Sequence, residues 1–390
     1  MLCIPRLVES VLSGVSTTVG QNIFVLEALL PVALRLQKDP VADVRMCLAA
    51  AAGELLSFLV WHNSSEDSGT QDGSANGSEG ASQKRYIDDT LIPLLQTLLQ
   101  DLDPEVVSAA LRAVTNASRG HARDSANRRN EDDSVSLSSH HSHLIEKRDP
   151  VFRPVLSEAQ VLRLVPTLSE LSSSTQWRVR QSAVEIVPAL LGCTHKLDTR
   201  SEIAQLCVTL MSDSVDAVRN SAAECLCLGG SNLGSDESAE ADGWLTAVVM
   251  PHLEACRDSA DSKQRLLCLK MAEMVLVDVA RSSATIQEVD VDPGEEHGIS
   301  LVHRVLEIAS TLSNDKIVNV RLNVGRMYGN VLSTLPRDED LEFIIAALEN
   351  QLEEESSRLN GGDRDVLYFA KKSIGFAKER VKYLDEVSNF

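Results

Sequence analysis

The stretch LCVTLMSDSVDAVRNSAAECL, residues 206 to 226, holds the pattern that decides the fold. An apolar run leads into a short polar turn, and a Val-Arg pair then opens a second apolar run. Counting from Val218 of that pair, apolar or small residues recur four positions on, at Ala222, and eleven positions on, at Gly229. Because steps of four and seven stay on one face of an α-helix, the second run predicts a helix that buries one stripe.

The same pattern occurs seven times along the chain. We call the first residue of each pair the anchor, and the seven anchors are Val44, Val106, Val179, Val218, Gln264, Val320 and Val366. The residues four positions later are apolar throughout: Leu48, Ala110, Ala183, Ala222, Cys268, Val324 and Ala370. An internal repeat of this kind is typical of a helical array, in which each unit buries its apolar stripe against its neighbours.

A further apolar run precedes each anchor and predicts a partner helix. Four of these runs carry a proline thirteen residues before the anchor, at Pro31, Pro93, Pro166 and Pro251. Proline bends or offsets a helix, which would give those helix pairs a common shape. Two hydrophilic segments, 63–84 and 118–148, and two shorter ones, 231–242 and 285–298, account for most of the excess over about 40 residues in the spacing of the anchors. A period near 40 is typical of HEAT repeats built from two helices. The sequence therefore predicts an all-α, armadillo-like HEAT-repeat solenoid of about seven helix pairs with disordered inserts.

The predicted domain order follows from these boundaries. Residues 1–62 hold HEAT-repeat sequence, 63–84 a disordered insert, 85–117 a further repeat, 118–148 a second disordered insert, and 149–386 five C-terminal repeats. Both inserts are rich in polar and charged residues that cannot bury enough apolar surface to fold. We therefore expect the core to lie outside them.

Composition excludes several functional classes. Aromatic residues make up 4% of the chain and the formal charge is -20, which disfavours binding to nucleic acid. No apolar run reaches the roughly 20 residues that a transmembrane helix needs, and the first residues lack the features of a signal peptide. We therefore expect a soluble protein of the cytoplasm, and also of the nucleus, with no membrane contact.

The eight cysteines form no CxxC pair, which predicts buried reduced thiols rather than a metal site. No catalytic motif stands in a suitable strand-turn-helix context, so the sequence predicts neither an enzyme nor a cofactor.

Four of the repeats carry a more specific resemblance. WRVRQSAVEIVPALL at 177–191, LCVTLMSDSVDAVRNSAAECL at 206–226, VNVRLNVGRMYGNVL at 318–332 and DRDVLYFAKKSIGFA at 363–377 resemble the C-terminal repeats of the HEAT-repeat scaffold and regulatory subunits of protein phosphatases 2A and 4. The hydrophilic inserts are closer to the phosphatase 4 type, which carries long acidic, Ser-rich insertions. The resemblance implies a non-catalytic subunit that binds the catalytic subunit of a Ser/Thr phosphatase of the 2A/4/6 type, positions substrates, and also contacts further regulatory subunits.

The same resemblance identifies candidate interface residues. In that family the ridge of intra-repeat turns holds the catalytic subunit, and a Trp-Arg turn is a main contact. The matching turn positions in this chain are Trp177, Arg178, Asp216, Lys263, Val318, Asn319, Arg364 and Asp365. An exposed Trp beside an Arg is also typical of an interface hot spot. The alternative is that Trp177 packs against the next repeat, and Asp216 departs from the family, which has an aromatic residue there.

Two alternatives stay open at this stage. An importin-like adaptor for transport or complex assembly would suit the charge of -20, because such solenoids bind basic or extended peptides on an acidic inner face. The second alternative concerns the Arg that follows five of the anchors: Arg45, Arg180, Arg219, Arg265 and Arg321. These side chains predict either a basic track for a partner or, as we favour, a ladder in which each Arg bonds an Asp in a neighbouring turn.

Overall fold

The computed structural model describes residues 31–66, 87–118, 155–194, 196–229, 243–286, 301–335 and 338–388. Within these ranges the chain is mostly helical and contains no β-strand, which confirms the all-α prediction. The chain divides into two compact units, Met1–Leu210 and Met211–Phe390. Most of both predicted inserts lies outside the described residues, although the first long helix continues to Glu66, four residues into the segment 63–84.

Within its described residues, the first unit holds three helix pairs and the first helix of a fourth. Residues 31–36 are helical. They are followed by α1 (Ala42–Glu66), a π-helical turn (Ile87–Leu91), α2 (Ile92–Leu99), α3 (Pro104–Ser118), α4 (Glu158–Ser172), α5 (Trp177–Glu185), α6 (Val187–Leu191) and α7 (Leu197–Leu210). Helix α1 packs on α3, and α3 packs on α5, so the second helices of successive repeats are neighbours.

The second unit continues the same order. It contains α8 (Asp216–Cys227), a π-helical turn (Leu245–Val249), α9 (Met250–Arg257), α10 (Ser262–Ile286), α11 (Leu301–Ser310), a 3-10 turn (Thr311–Asn314), α12 (Val318–Val331), α13 (Asp338–Ser357), a 3-10 turn (Leu359–Gly361) and α14 (Arg364–Ser388). The second helices α8, α10, α12 and α14 pack on one another in that order, and so do the first helices α9, α11 and α13. Each unit is therefore built from two layers of helices, as expected for a helical repeat.

The stripe predicted from the repeat is buried. The six Val anchors are at most 4% exposed, and so are all seven residues four positions later. Eleven positions after the anchor the residues are again buried, except Leu55, which is half-buried. Gln264, the one polar anchor, is half-buried, and its Nε2 donates to the Met211 carbonyl at 2.7 Å. A hydrogen bond thus takes the place of the apolar contact that the other six anchors make.

Two of the four repeated prolines lie directly after a π-helical turn. Pro93 is the second residue of α2 and Pro251 the second residue of α9, and each helix follows such a turn. Proline lacks the backbone N–H and its ring crowds the preceding turn, so a wider turn accommodates it. The predicted offset is found at these two positions, whereas Pro166 lies inside the continuous helix α4. Pro31 is the first described residue, so its preceding turn lies outside the described residues.

Trp244 explains why the fourth repeat has glycine on its apolar stripe. The indole of Trp244 is 2% exposed, and its Nε1 donates to the Leu226 carbonyl at 3.1 Å. A Cβ at Gly229 would lie 2.7 Å from atoms of that ring. A contact this short cannot be tolerated without movement of the surrounding atoms. The Trp244 ring therefore leaves no room for a side chain at position 229, which accounts for the glycine there.

The cysteines match the sequence prediction with one exception. Six free cysteines are buried: Cys193, Cys207, Cys225, Cys227, Cys256 and Cys268. Cys47, which was expected to be buried as well, is exposed on α1. It stands three positions after its anchor, off the buried stripe, and the prediction from Ala- and Leu-rich surroundings overlooked that register. Cys3 lies outside the described residues.

Candidate protein-binding edge at the intra-repeat turns

An Asp shapes each of six intra-repeat turns. Its carboxylate accepts a hydrogen bond from the backbone N–H two residues later, at 2.7–2.9 Å. The six residues are Asp39, Asp101, Asp213, Asp261, Asp315 and Asp363. This local bond is the Asx-turn that favours Asp where the chain leaves one helix and enters the next. The acidic residues of the repeat therefore serve first to fix the turn itself.

The Arg that follows the anchor fixes the same turn from the other side. In each of the five repeats that carry it, one Nη donates to the carbonyl oxygen six residues earlier. The distances range from 2.5 Å for Arg45 and Asp39 to 2.8 Å for Arg180 and Ser174. These carbonyls lie in the turns, one to three residues beyond the last residue of the preceding helix. The bond therefore ties each second helix to the turn that leads into it.

Three of these arginines also join consecutive turns. Each makes a two-pronged ion pair with a carboxylate of the next repeat: Arg45 with Asp101 at 2.6 and 2.9 Å, Arg265 with Asp315 at 2.5 and 3.1 Å, and Arg321 with Glu355 at 2.7 and 3.0 Å. The side chains of the last two pairs are at most 7% exposed. Such bidentate pairs fix orientation as well as distance. The turns of neighbouring repeats are thus held in register.

Burial alone would raise the pKa of the three carboxylates in these pairs. Hydrogen bonds from the arginines and from backbone N–H groups outweigh that effect, so the pKa values of Asp101, Asp315 and Glu355 all lie below their ordinary range. The side-chain hydrogen bond to Asp315 likewise raises the pKa of Arg265 above its ordinary value. All three carboxylates are therefore charged at neutral pH.

The predicted ladder is confirmed only in part. Arg45 and Arg265 bond an Asp of the next turn, as predicted, but Arg321 bonds Glu355 at the end of α13 instead. Arg219 departs further, because its ion pair at 2.7 Å is with Asp216 of its own helix. Asp216 is the first residue of that helix and lies three positions before Arg219, a spacing at which side chains on a helix meet, and the prediction of a ladder overlooked it.

All eight predicted interface residues lie at the first residues of second helices and are exposed. They are Trp177 and Arg178 of α5, Asp216 of α8, Lys263 of α10, Val318 and Asn319 of α12, and Arg364 and Asp365 of α14. Trp177 is 36% exposed, and the guanidinium of Arg178 lies 5.0 Å from the centroid of its ring. That distance is a cation–π contact, which holds the two side chains together at the turn.

The structure brings the six residues of the second unit to one edge. Because α8, α10, α12 and α14 pack in succession and begin at consecutive turns, their first residues follow one another along that edge. We call this set the turn edge: Asp216, Lys263, Val318, Asn319, Arg364 and Asp365. Asp216 is engaged by Arg219 and by Asn220, both at 2.7 Å, so its carboxylate is held in place. Val318 is 41% exposed and adds an apolar contact surface.

A groove beside the turn edge was missed by the sequence reasoning. Asp216 and Lys263 reach it, and it has a volume of about 410 Å³ between α8, α10 and α12. Its charged lining consists of Asp216, Arg219, Lys263, Lys270, Glu273 and Arg326, so cations outnumber acids. The acidic inner face expected of the adaptor alternative is therefore not found in this groove.

Two further findings concern the described residues only. No helix among them is long and apolar enough to span a membrane. They also hold no group of three or more His, Cys, Asp or Glu side chains arranged to bind a metal ion.

Comparison with known proteins supports the fold. No protein-family model and no curated protein matches the chain. Among solved structures, Kap121p bound to Ste12p aligns with a TM-score of 0.56 and 12% identity over 99% of this chain and 35% of that chain. Kap121p bound to Pho4p gives 0.56 and 11% over 99% and 35%. A chain from the study of Kap95p binding to RanGDP gives 0.51 and 12% over 92% and 37%.

The chain thus spans little more than a third of the length of those proteins, 35% and 37%. At such low identity the likeness concerns the fold alone. Together with the helix order and the buried stripes, it identifies a helical repeat protein of the HEAT and armadillo type.

Proposed function

We propose that this chain is a non-catalytic regulatory or scaffold subunit of a Ser/Thr protein phosphatase of the 2A/4 type. In this proposal the catalytic subunit binds along the intra-repeat turns, at Trp177 and Arg178 and at the turn edge of the second unit. The resemblance of the turn sequences to phosphatase scaffold subunits supplies the identity of the partner.

The observation that carries the proposal is a set of exposed side chains on rigid turns. Every candidate interface residue is exposed, while the Asp and Arg residues behind it are tied into hydrogen bonds. Binding costs less free energy when the contacting groups are already ordered, because fewer rotamers and loops must be fixed. The Trp177–Arg178 pair combines the two residue types that most often dominate the energy of a protein interface.

The mechanism would be positional rather than chemical. Each repeat contacts only its neighbours, so small rotations between repeats add up along a helical array. The ion pairs Arg265–Asp315 and Arg321–Glu355 set the register of the turns within the second unit. A phosphatase bound to those turns would be held at a defined orientation while other parts of the chain bind substrates or further subunits.

The importin-like adaptor remains the competing proposal. Its support is the solenoid fold, which the two functions share. Its predicted ligand, a basic peptide, would meet Lys263, Lys270 and Arg326 in the groove of the second unit, and like charges would oppose that binding. This observation favours the phosphatase proposal over the adaptor proposal.

Affinity purification of the full-length chain from cells, followed by mass spectrometry, tests the proposal. We expect a Ser/Thr phosphatase catalytic subunit of the 2A/4/6 type among the most abundant specific partners. Transport factors and cargo in its place, with no phosphatase, would support the adaptor and overturn our proposal.

A further inference from the structure

One position of the repeat carries a cation in each of the last three repeats. Six residues after the anchor stand Lys270 in α10, Arg326 in α12 and Lys372 in α14. The equivalent residues of the four preceding repeats are Ala50, Arg112, Glu185 and Glu224. Because α10, α12 and α14 pack in order, equivalent positions lie one helix spacing apart, roughly 8–10 Å. We call Lys270, Arg326 and Lys372 the cationic row.

None of the three cations of this row forms an ion pair with a carboxylate of the described residues, although Glu273 lines the same groove. Arg326 lies instead over the ring of Phe369, 4.3 Å from its centroid, and Lys372 over Phe376 at 5.6 Å. The chain as a whole has 57 acidic and 37 basic residues, so acids are plentiful. Three cations side by side without such partners form a local positive surface.

The groove between α8, α10 and α12 gives this row the other features of a peptide site. Lys270 and Arg326 line it together with Lys263, which lies two helical turns, about 10 Å, from Lys270. That length accommodates about three residues of an extended chain. Leu266 and Met327 contribute apolar surface to the same groove.

Polar amides of the groove suit a peptide backbone. Asn220, Asn323 and Asn330 all line the groove. Asn330 Nδ2 donates to Glu273 Oε1 at 3.0 Å, so the one acid of α10 that lines the groove is engaged by an amide. The Nδ2 groups of Asn220 and Asn323 donate likewise within the protein, to Asp216 and Asn319. The carboxamide oxygens are acceptors that can pair with the N–H groups of an extended segment.

We propose that the cationic row and the adjoining groove bind an extended acidic peptide segment of a partner protein. Carboxylates or phosphates of that segment would bond the ammonium and guanidinium groups, and its backbone would contact the asparagines. This site uses residues outside the turn edge, apart from Asp216 and Lys263, which also line the groove. The inference therefore stands independently of the identity of the phosphatase.

Fluorescence anisotropy with the full-length protein tests this inference. The probe is a labelled twelve-residue peptide of alternating Asp, Ser and Glu, compared with the same peptide carrying Lys at every acidic position. We expect the acidic peptide to bind, the basic one to bind at least tenfold more weakly, and added salt to weaken the binding. Absence of binding by the acidic peptide, or tighter binding by a single-stranded RNA of equal charge, would overturn the inference.

Variants locate the site. The triple variant K270E/R326E/K372E should bind the acidic peptide at least tenfold more weakly than wild type. The neutral variant K270Q/R326Q/K372Q keeps much of each side chain and serves in its place if charge reversal prevents folding. We expect the neutral variant to bind the acidic peptide several-fold more weakly than wild type. The control K38E/R112E/R163E has the same change in net charge as the triple variant, at exposed cations of the first unit, and should stay within about twofold of wild type. An equal loss in row and control variants would refute the site.

Recovery of a phosphatase separates this inference from the proposed function. The row variants leave Trp177, Arg178 and the turn edge unchanged, so we expect them to lose the peptide but retain any phosphatase. Loss of the phosphatase with full peptide binding would contradict the assignment of separate surfaces.

Discussion

Glu355 and Arg321 form a buried bidentate ion pair that ties α12 to the end of α13. The Arg321 Nε and Nη2 atoms lie 2.7 and 3.0 Å from the two carboxylate oxygens, and the side chains are 5% and 1% exposed. Glu355 Oε1 also accepts the Asp363 backbone N–H at 2.8 Å. One carboxylate therefore holds both the second helix of one repeat and the turn of the next.

Removal of this carboxylate should be strongly destabilising. Glu355→Ala leaves the Arg321 guanidinium buried without its counter-ion, so we expect a loss of about 3–5 kcal/mol in the free energy of unfolding. Urea denaturation followed by circular dichroism measures it. The control is Glu349→Ala, whose ion pair with Lys378 has both side chains more than half exposed and should cost at most about 1 kcal/mol. Equal losses would contradict a structural role for the buried pair.

The same pairs predict how stability depends on pH. Asp101, Asp315 and Glu355 have pKa values below their ordinary range in the folded chain, so at acidic pH the unfolded chain binds more protons. Their contribution is complete above the ordinary pKa, near 4, and is lost as the pH falls through the lower folded values. The urea concentration at the midpoint of unfolding should therefore decrease as the pH is lowered from neutral. The decrease should be smaller for D315N/E355Q, which lacks two of the three carboxylates. A variant curve parallel to that of the wild type would refute this explanation.

Two glycines should respond in opposite directions to an added methyl group. Gly229→Ala drives a Cβ into the Trp244 ring and should cost about 1–3 kcal/mol of stability. Gly375 is exposed within α14 and has nothing within 4 Å of its Cβ position, so Gly375→Ala should stabilise by up to about 1 kcal/mol. Thermal unfolding of both variants measures whether each substitution lowers or raises the stability of the protein. A Gly229→Ala protein as stable as wild type would show that the ring does not occupy that space.

Thiol labelling should separate one cysteine from the rest. Cys47 is exposed, whereas burial raises the pKa of Cys193 and Cys207 and raises that of Cys256 to about 11. Because the thiolate is the reactive form, the native protein should label rapidly at Cys47 and slowly at the buried positions. In a Cys3→Ser background, a maleimide reagent should modify one thiol quickly, and Cys47→Ser should abolish that phase. Rapid labelling of several thiols would contradict the buried core.

Much of the fold could be predicted from the sequence because one buried stripe recurs in every repeat. Val44 and Leu48 are four residues apart, as are Val320 and Val324, so each pair lies on one face of a helix. Both faces are buried. The π-helical turns before Pro93 and Pro251 could be foreseen only as an offset. Proline excludes a regular turn, but the geometry that replaces it depends on the packing around it.

The site was less predictable because side-chain partners depend on three-dimensional distance. The exposure of Trp177 follows from its place outside both stripes, but the pairing of Arg321 with Glu355 instead of Asp363 does not. Asp363 uses its carboxylate for its own turn and offers only its backbone N–H to Glu355. The cationic row could have been found from the sequence by reading the sixth position after each anchor.

The most direct test of the proposed function compares two double variants. W177A/R178E alters the exposed pair at the turn that begins α5, and L162A/R163E makes a similar change at exposed residues of α4, away from the turns. Each protein is used at equal amounts to capture the phosphatase catalytic subunit from a cell extract, with quantitative mass spectrometry as the readout. We predict at least a tenfold loss of phosphatase with W177A/R178E, the effect expected of a hot spot, and recovery within about twofold of wild type with L162A/R163E. Equal recovery with both variants and the wild type would contradict the proposal that the turns hold the phosphatase.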